Sequence, residues 1–266
     1  MGAFRRAVWE YYRSNGRHDL AWRKTKNPYR ILVSEVMLQQ TQVLRVIEKY
    51  NEFLRAFPTV RALAKAPLSS VLKVWSGLGY NRRGKYLHDA AKIIVGGYGG
   101  NFKEALKYPL PGVGSYTRAA VGTFAYNEPH TMLETNIRAV FIHHFYSSVL
   151  QKTAIADSQI LLIATRTAEG QDPREWHWAV MDYGAHLKRI HENPTRKSAH
   201  YVVQSKFEGS LRQVRGAILK ILTTGAHGDL AISRKLEFDE KRVRDALSGL
   251  ARDGLVVGAR GSWRIA

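Results

Sequence analysis

The sequence predicts a mainly α-helical protein that ends in a small domain of three helices and a β-hairpin. Apolar residues recur at helical spacing from Ile31 to about residue 190. No stretch before residue 250 alternates apolar and polar residues as a half-buried strand does. Beyond that position, two short apolar stretches flank Gly258–Gly261, which is the pattern of a glycine-tipped hairpin.

The chain has 266 residues, enough for one large domain or two modest ones. It contains 41 Lys and Arg against 22 Asp and Glu, a formal net charge of +19. A surplus this large on a compact chain favours a polyanion, such as a nucleic acid, as the partner. Structural nucleic-acid binders carry similar charge, so the charge alone does not indicate an enzyme.

Two absences narrow the chemistry that this chain can perform. It has no cysteine, which excludes disulfides, thiolate zinc sites, cysteine nucleophiles and cysteine-held iron–sulfur clusters. Its longest apolar runs are far below the roughly 18–20 residues of a membrane span. The start, Met1–Arg6, lacks the apolar stretch of a signal peptide. We therefore expect a cytoplasmic protein with no membrane association.

The first clear helix begins at Pro28, after the turn residue Asn27. Its apolar spacing continues too far for one typical helix and lapses at Gln40–Gln42, which predicts two helices that end before Pro58. Further helices are predicted along the next part of the chain: 61–65, 69–75, Asn81–Val95 (closed by the glycine-rich segment 96–100), Ser115–Ala125, Asn136–Tyr146, Ala154–Thr167 and Arg174–Arg189.

The composition shifts near Ser205–Ser210, which marks a domain boundary. The elements predicted beyond it are helices at Leu211–Leu222, Ala231–Leu236 and Asp239–Arg252 and a hairpin of Leu255–Val257 with Ser262–Ile265. This order is typical of a winged helix, a relative of the helix-turn-helix, and we assign it to residues 208–266.

The predicted winged helix is only weakly basic. It holds 11 basic and 7 acidic residues, so residues 1–207 carry +15 of the net charge. Its helices are expected to enter a DNA groove, with Arg242, Arg244 or Arg260 on phosphate, or else to contact a protein partner. The charge does not choose between these alternatives.

The segment Leu110–Gly114 reads Leu-Pro-Gly-Val-Gly. Its two glycines allow a tight turn and close approach to another surface. The helix that follows offers free N–H groups and a positive dipole to a phosphate, and Arg118 adds a full charge one turn further on. This pattern predicts a helix-hairpin-helix that contacts DNA; the alternative is a plain turn. The predicted DNA-binding residues are Gly112, Val113, Gly114, Ser115 and Arg118.

Two carboxylates are candidates for chemistry. Glu35 lies within the apolar run Ile31–Leu38, either on an exposed stripe or in a poorly solvated cleft. In a cleft, desolvation raises the pKa of a carboxyl, as a general acid requires. Glu134 precedes a helix, where it either complements the helix dipole or stabilises a developing positive charge. The local sequence leaves both alternatives open.

Three segments, in the same order, resemble the MutY-type adenine DNA glycosylases of the helix-hairpin-helix superfamily. They are Glu35–Val43 (EVMLQQTQV), Gly77–Tyr80 (GLGY) and Leu110–Thr117 (LPGVGSYT). Helical packing alone does not require the three glutamines of the first segment. The resemblance covers roughly residues 4–190 and implies a two-lobed helix-hairpin-helix DNA glycosylase fold over 1–207. The expected lobes are 24–129, with the hairpin, and 1–23 together with 130–207.

The resemblance implies a catalytic set. Glu35 matches the general acid that protonates N7 of adenine. Glu134 matches the carboxylate that stabilises the sugar cation, and Asn136 matches the residue that orients this carboxylate. Tyr116 stands where bifunctional relatives have a nucleophilic lysine, and a phenol forms no Schiff base. A monofunctional glycosylase without strong lyase activity is therefore expected.

The resemblance also implies a substrate-binding set. Two of its residues wedge into the duplex, as a base-flipping enzyme requires, and two others lie near the base pocket. The set consists of Gln40 and Tyr80 (wedge), Arg23 and Asp182 (pocket), Leu38 and Thr41.

This chain departs from the family in three respects. Glu134 replaces an aspartate and adds one methylene, roughly 1–1.5 Å of reach, and a 1 Å misplacement costs on the order of 100-fold in rate. Residues 188–200 lack the cysteines that hold the family's iron–sulfur cluster. We expect no cofactor and no metal there, even at His191 and His200, because no carboxylate-rich ligand set accompanies them. A winged helix replaces the larger module that reads 8-oxoguanine, which leaves the opposite base open.

The sequence therefore predicts a monofunctional mismatch DNA glycosylase of base excision repair. Its expected substrate is adenine opposite guanine or 8-oxoguanine in double-stranded DNA. One alternative is a thymine or uracil glycosylase acting on mismatches with guanine, and another is a DNA-binding protein that has lost catalysis. We expect the protein to act as a monomer at the nucleoid.

Overall fold

The computed structural model describes residues 1–147, 154–203, 206–259 and 261–266. Within these ranges the regular structure is mainly α-helical, as the sequence predicts. The helices of the first half are α1 (Gly2–Asn15), α2 (Pro28–Leu38), α3 (Val43–Ala56), α4 (Val60–Lys65), α5 (Leu68–Trp75), α6 (Arg82–Tyr98), α7 (Phe102–Ala105) and α8 (Ser115–Tyr126).

The second half continues with helices and ends in a hairpin. Its elements are α9 (Thr135–Phe145), α10 (Asp157–Ala168), α11 (Pro173–Ile190), a short 3₁₀ helix (Pro194–Lys197), α12 (Leu211–Leu222), α13 (Asp229–Leu236), α14 (Glu240–Arg252), β1 (Val256–Ala259) and β2 (Ser262–Ile265).

The chain forms two compact units. Unit 1 comprises Met1–Ile31 and Gly114–Val203, and unit 2 comprises Leu32–Val113 and Gln204–Ala266. These boundaries lie elsewhere than those of the expected lobes 24–129 and 1–23 with 130–207. The C-terminal domain, expected as a separate region 208–266, groups with the helices of unit 2.

In unit 1, α9 and α11 approach each other at backbone distance. A Cβ atom added to Gly184 would lie 2.0 Å from the carbonyl oxygen of Asn136. Only a glycine fits there, because real Cβ contacts are longer. This contact fixes the start of α9, which carries Asn136, against the middle of α11.

Helix α1, which the sequence analysis did not identify, packs on α11 in the same unit. Its buried residues are Phe4, Val8 and Tyr12, spaced four apart. The ring of Phe4 meets that of Trp176 edge-on, with 6.2 Å between centroids. The spacing of these three residues was the signal that sequence reasoning missed.

In unit 2, α6 runs further than the sequence predicts. It continues through Gly96 and Gly97 and ends only at Gly99, whose φ is +62°. A glycine inside a helix costs about 1 kcal/mol but does not end it; a left-handed residue does. Stacking of Tyr98 on Tyr108, with 5.5 Å between ring centroids, accompanies this extension.

The C-terminal domain has the predicted three helices and antiparallel hairpin. Val256 pairs with Ile265 in the hairpin, and His227 adds a bridge to Trp263. Its core joins residues of α12, α13, α14 and the hairpin with Leu72 of α5. The core residues of this domain are Val214, Ile218, Leu219, Leu222, Ile232, Val243, Ala246, Leu247, Leu250, Leu255, Val256 and Ile265. The candidate phosphate contact Arg260 lies outside the described residues.

None of the helices in the described ranges combines the length and the apolar character that crossing a bilayer requires.

The close contact of α9 and α11 predicts that Gly184→Ala destabilises the protein by about 3 kcal/mol, since overpacking against backbone has no flexible outlet. Gly97→Ala is the matched control. A Cβ at Gly97, inside α6, has no neighbour within 4 Å, so this substitution is expected to be neutral or to stabilise by up to about 1 kcal/mol. Urea denaturation followed by circular dichroism measures both; equal stabilities would contradict the packing argument.

Candidate functional site

Glu35 lies in the middle of α2, where every residue from Ile31 to Met37 is buried. The Glu35 residue itself is 7% exposed. Its neighbours in the chain, Ser34 and Val36, are 1% and 2% exposed. The carboxylate is therefore not on an exposed stripe, and the poorly solvated alternative is the one that the structure supports.

The segment after α2 makes an unusual turn. Gln40 has φ of +54°, and Tyr80, in the Gly77–Tyr80 loop, has φ of +47°. Non-glycine residues seldom adopt this left-handed conformation, and holding them there costs free energy. Gln40 is exposed and Tyr80 is 37% exposed, whereas Leu38 and Thr41 are half-buried. These four predicted substrate-binding residues therefore belong to two strained segments of unit 2.

The guanidinium of Arg83 joins these two segments. Nη1 donates to the carbonyl oxygens at the end of α2, and Nη2 donates to the turn and to the Gly77–Tyr80 loop. The acceptors are Val36 O (2.9 Å), Met37 O (3.0 Å), Gln39 O, Thr41 Oγ1 (3.0 Å), Leu78 O (3.1 Å) and Gly79 O (3.1 Å). A cation at a helix C-terminus also complements the helix dipole. Sequence reasoning missed Arg83.

Burial gives Arg83 an unusual electrostatic environment. Desolvation lowers the pKa of its guanidinium to about 10, so the group is still protonated at neutral pH. Its Cζ atom lies 5.6 Å from the ring centroid of Trp75 and 5.5 Å from that of Tyr80. These cation–π contacts and the carbonyl oxygens replace the water that the charge has lost.

The predicted hairpin is a tight turn that leads into α8. Val113 N donates to Leu110 O at 3.1 Å, and Gly114 is the N-cap of α8. Gly112 has φ of +70°, and a Cβ there would lie 2.8 Å from that of Tyr86. Of the predicted DNA-binding residues, Gly112, Gly114 and Ser115 are exposed, Arg118 is half-buried and Val113 is buried. Tyr116 lies in the first turn of α8.

Glu134 is the N-cap of α9 in unit 1. Its Oε1 accepts hydrogen bonds from the backbone N–H of Asn136 (2.8 Å) and of Ile137 (2.9 Å). Asn136 Nδ2 donates to Oε2 at 3.2 Å, and Lys188 Nζ donates to Asn136 Oδ1 at 3.1 Å. Desolvation raises the pKa of Glu134, while these N–H donors, Lys188 and Arg138 oppose the rise. The capping interpretation holds, and the Asn136 contact is the one that an orienting role requires.

Arg23 and Asp182 are brought together in unit 1, although 159 positions separate them. Nη1 and Nη2 of Arg23 bond the two carboxylate oxygens of Asp182 at 2.7 and 2.8 Å. Arg17 adds bonds from its backbone N and its Nε. Burial alone would raise the pKa of Asp182, but the two arginines outweigh it and hold the pKa below its usual value. Both predicted pocket residues thus form a buried ion pair.

The segment 188–200, where the family's cluster cysteines would stand, contains only nitrogen and oxygen donors. His191 stacks on His143 with 4.6 Å between ring centroids, and His200 faces Asp157 at 3.6 Å. Within the described ranges, no group of three or more metal-ligating side chains is present. An iron–sulfur cluster does not fit this donor set.

Hydrogen bonds hold the same segment in unit 1. Ile155 N donates to Lys197 O at 2.8 Å, and Ala199 N donates to Ile155 O at 3.0 Å. Asn193 caps the 3₁₀ helix through its side chain. Ordinary hydrogen bonds therefore hold the segment 188–200 in place.

Residues 33–162 match the family model of the HhH-GPD superfamily base excision DNA repair protein. The matched segment contains Glu35, the strained turns, the hairpin, Glu134 and Asn136.

This segment is an HhH-GPD domain.

The chain also resembles adenine DNA glycosylases. That of Buchnera aphidicola subsp. Baizongia pistaciae (strain Bp) is 34% identical over 199 residues, covering 72% of this chain and 54% of the relative. That of Mycobacterium tuberculosis (strain CDC 1551 / Oshkosh) is 42% identical over 133 residues, covering 49% of this chain and 43% of the relative. The chain thus spans about half the length of the relatives it matches.

Among solved structures, the chain resembles that of a thermostable thymine-DNA glycosylase. The TM-score is 0.61 at 26% identity, covering 74% of this chain and 92% of the other. Both the sequence and the structural likeness extend over more of the chain than the matched segment 33–162. Residues 206–259 and 261–266 lie outside the matched domain.

The six carbonyl and hydroxyl acceptors on Arg83 predict that Arg83→Lys destabilises the HhH-GPD domain by about 3 kcal/mol. The ammonium of lysine keeps the positive charge but lacks the planar, two-pronged geometry of the guanidinium. Several of the six acceptors would therefore lose their hydrogen-bond donor. Arg82→Lys is the matched control, because Arg82 is half-exposed and its ion pair with Asp253 is expected to contribute under about 1 kcal/mol. Urea denaturation measures the free energy of unfolding of both variants. Equal losses for the two would contradict the role of Arg83 in joining the two segments.

The buried Arg23–Asp182 pair predicts an acid-sensitive contribution to stability. Because its folded-state pKa is lowered, Asp182 stabilises the protein fully above about pH 5, and this contribution is lost as pH falls through that pKa. Asp182→Asn is therefore expected to cost about 3 kcal/mol at pH 7, with a smaller difference from the wild type near pH 3. The exposed Asp19→Asn is the control. Thermal unfolding of the variants and the wild type between pH 3 and pH 7 tests this prediction. A stability difference between Asp182→Asn and the wild type that does not change with pH would contradict it.

Proposed function

We propose that this protein is a monofunctional mismatch DNA glycosylase that hydrolyses the N-glycosidic bond of a flipped adenine opposite guanine or 8-oxoguanine. The observation that carries the proposal is the buried carboxyl of Glu35 within an HhH-GPD domain. It lies in the segment that resembles adenine DNA glycosylases, one turn before the strained Gln40 turn.

In the proposed reaction, the Glu35 carboxyl donates its proton to N7 of adenine. The bond between N9 and C1′ then breaks, and its electron pair leaves with the neutral base. A carboxyl that is shielded from bulk water is suited to this transfer, because burial disfavours its ionised form. The remaining Glu35 carboxylate can accept a proton from the attacking water.

Glu134 is proposed to stabilise the oxocarbenium-like sugar while water attacks C1′. Its carboxylate is oriented by two backbone N–H groups and by the Asn136 amide. This role requires the ionised carboxylate of Glu134. Because the pKa of Glu134 is raised, activity should begin to fall at a higher pH than it would with an ordinary glutamate. Tyr116 cannot form a Schiff base, so no strong lyase activity is proposed.

Double-stranded DNA with a mismatch is the proposed partner. The net charge of +19 supports it, as do the exposed residues Gly112, Gly114 and Ser115 at the turn into α8. The buried pair of Arg23 and Asp182 is proposed to lie near the base pocket. We propose action as a monomer at the nucleoid, without a cofactor.

A second candidate is a thymine or uracil glycosylase acting on mismatches with guanine. The likeness to the thermostable thymine-DNA glycosylase, which extends over 92% of that chain, favours it. The adenine proposal rests instead on the 34% and 42% identity to adenine DNA glycosylases and on the glutamines of Glu35–Val43.

Incubation with duplexes that carry A:8-oxoG, A:G, T:G or U:G, followed by alkaline cleavage of abasic sites, separates the candidates. We expect cleavage at adenine, and we expect Glu35→Gln to lower the single-turnover rate about 100-fold or more, since general acids contribute 10²–10⁴-fold. Glu48→Gln, an exposed carboxylate on α3, is the control and should retain the full rate.

Cleavage at thymine or uracil alone would transfer the assignment to the second candidate. Tight binding of all four duplexes without cleavage would leave a DNA-binding protein that has lost catalysis. Full activity of the Glu35→Gln variant would remove Glu35 as the acid.

A further inference from the structure

A groove of about 590 Å³ lies between α12 of the winged helix and the Gly77–Tyr80 loop, both in unit 2. Its other walls are the turn after α2 and the first turn of α3. The lining residues that matter for binding are Arg45, Tyr80, Phe207, Arg212, Gly216 and Lys220.

The groove is cationic. Arg45, Arg212 and Lys220 line it, and its described lining residues include no carboxylate. Arg45 and Lys220 are exposed at its edges. Side-chain amides alternate with these cations, and small residues keep the groove open. Such a surface attracts an anion that also carries hydrogen-bonding edges.

Tyr80 gives the groove an aromatic wall. The guanidinium of Arg212 lies 5.5 Å from the Tyr80 ring centroid, and Arg212 Nη1 donates to Tyr80 Oη at 2.5 Å. Arg83 lies at the same distance from this ring. Phe207 is 59% exposed and adds a second aromatic side chain to the lining. Aromatic rings beside cations are the usual platform for a base and its phosphate.

The helix that ordinarily enters a DNA groove in winged helices, α14, lacks this character. Its exposed charged residues are Glu240, Lys241, Arg244, Asp245 and Arg252, a surplus of only one positive charge. Arg242 donates instead to the carbonyl oxygen of Gly209. Helix α12, by contrast, carries three basic residues and no carboxylate.

We propose that this groove, hereafter the α12 groove, binds a nucleotide of the DNA substrate. Its base would pack against Tyr80, and its phosphate would lie among Arg45, Arg212 and Lys220. The winged helix would thus contact DNA through α12. The inference rests on the proposed function insofar as the ligand is the DNA on which the HhH-GPD domain acts.

The test compares two matched double variants, each removing one Lys and one Arg from exposed positions: Arg45→Ala with Lys220→Ala, and Lys241→Ala with Arg244→Ala. Both are made in the Glu35→Gln background, which keeps the mismatched base in place. Fluorescence anisotropy with a labelled duplex carrying one A:G mismatch gives Kd at several salt concentrations.

We expect the α12 groove pair to weaken binding about tenfold or more. Its slope of log K against log salt should fall in magnitude by about 0.9, since one neutralised phosphate contributes about 0.9. The α14 pair should leave both quantities nearly unchanged.

A steric variant tests occupancy. A Cβ on Gly216 has no neighbour within 4 Å, so Gly216→Glu places bulk and negative charge in the groove without disturbing the core, whereas Gly216→Ala serves as its control. Binding should fall about tenfold or more for Gly216→Glu only. Equal thermal unfolding of the two variants verifies that both fold.

An equal or larger effect of the α14 pair would overturn the proposal in favour of the usual docking helix. Unchanged binding by both pairs would overturn it in favour of a winged helix that contacts protein. If wild-type protein excises no base while the α12 groove variants still weaken binding as expected, the groove stands and the proposed glycosylase function falls.

Discussion

The guanidinium of Arg83 links the helix that carries Glu35 to the two strained turns of unit 2. Its two terminal nitrogens serve six acceptors, of which three are carbonyl oxygens at the end of α2. The last carbonyl groups of a helix have no N–H donor within the helix. The guanidinium of Arg83 supplies the donors that a further turn of helix would otherwise provide. The left-handed conformations of Gln40 and Tyr80 persist because neighbouring residues are fixed in this way.

The carboxylate of Glu134 is held by several hydrogen bonds at the start of α9. One carboxylate oxygen accepts the N–H groups at the start of α9, and the other accepts the Asn136 amide. Both oxygens of this one side chain are therefore held by groups at the start of α9. The close packing of α11 on α9 at Gly184 holds this cap in place and brings Lys188 to Asn136.

Much of this arrangement could be predicted from the sequence, because helical spacing and the glycines of the hairpin are local signals. Helix α12 has the predicted bounds Leu211–Leu222, and the two helices around Gln40–Gln42 separate as expected. The end of α6 was predicted wrongly, since glycine composition does not reveal which glycine turns left-handed. Nothing in the run Asn81–Arg83 distinguishes Arg83 from Arg82; only tertiary packing buries one and leaves the other half-exposed.

Partners distant in the chain were beyond sequence reasoning for the same reason. The bidentate pairing of Arg23 with Asp182 depends on how α11 packs in unit 1. Likewise, the mostly apolar run Ile31–Leu38 left open whether Glu35 is exposed or buried, and only the fold shows that it is buried. The chain resembles both adenine DNA glycosylases and a thymine-DNA glycosylase. The identity of the base that is released therefore decides between the two assignments.

The most direct measurement is mass spectrometry of the free base and of the DNA strand after incubation with a duplex carrying adenine opposite 8-oxoguanine. The account predicts free adenine, together with a strand that keeps its backbone intact at the abasic site. Release of no base, or strand scission through a covalent enzyme intermediate, would contradict it.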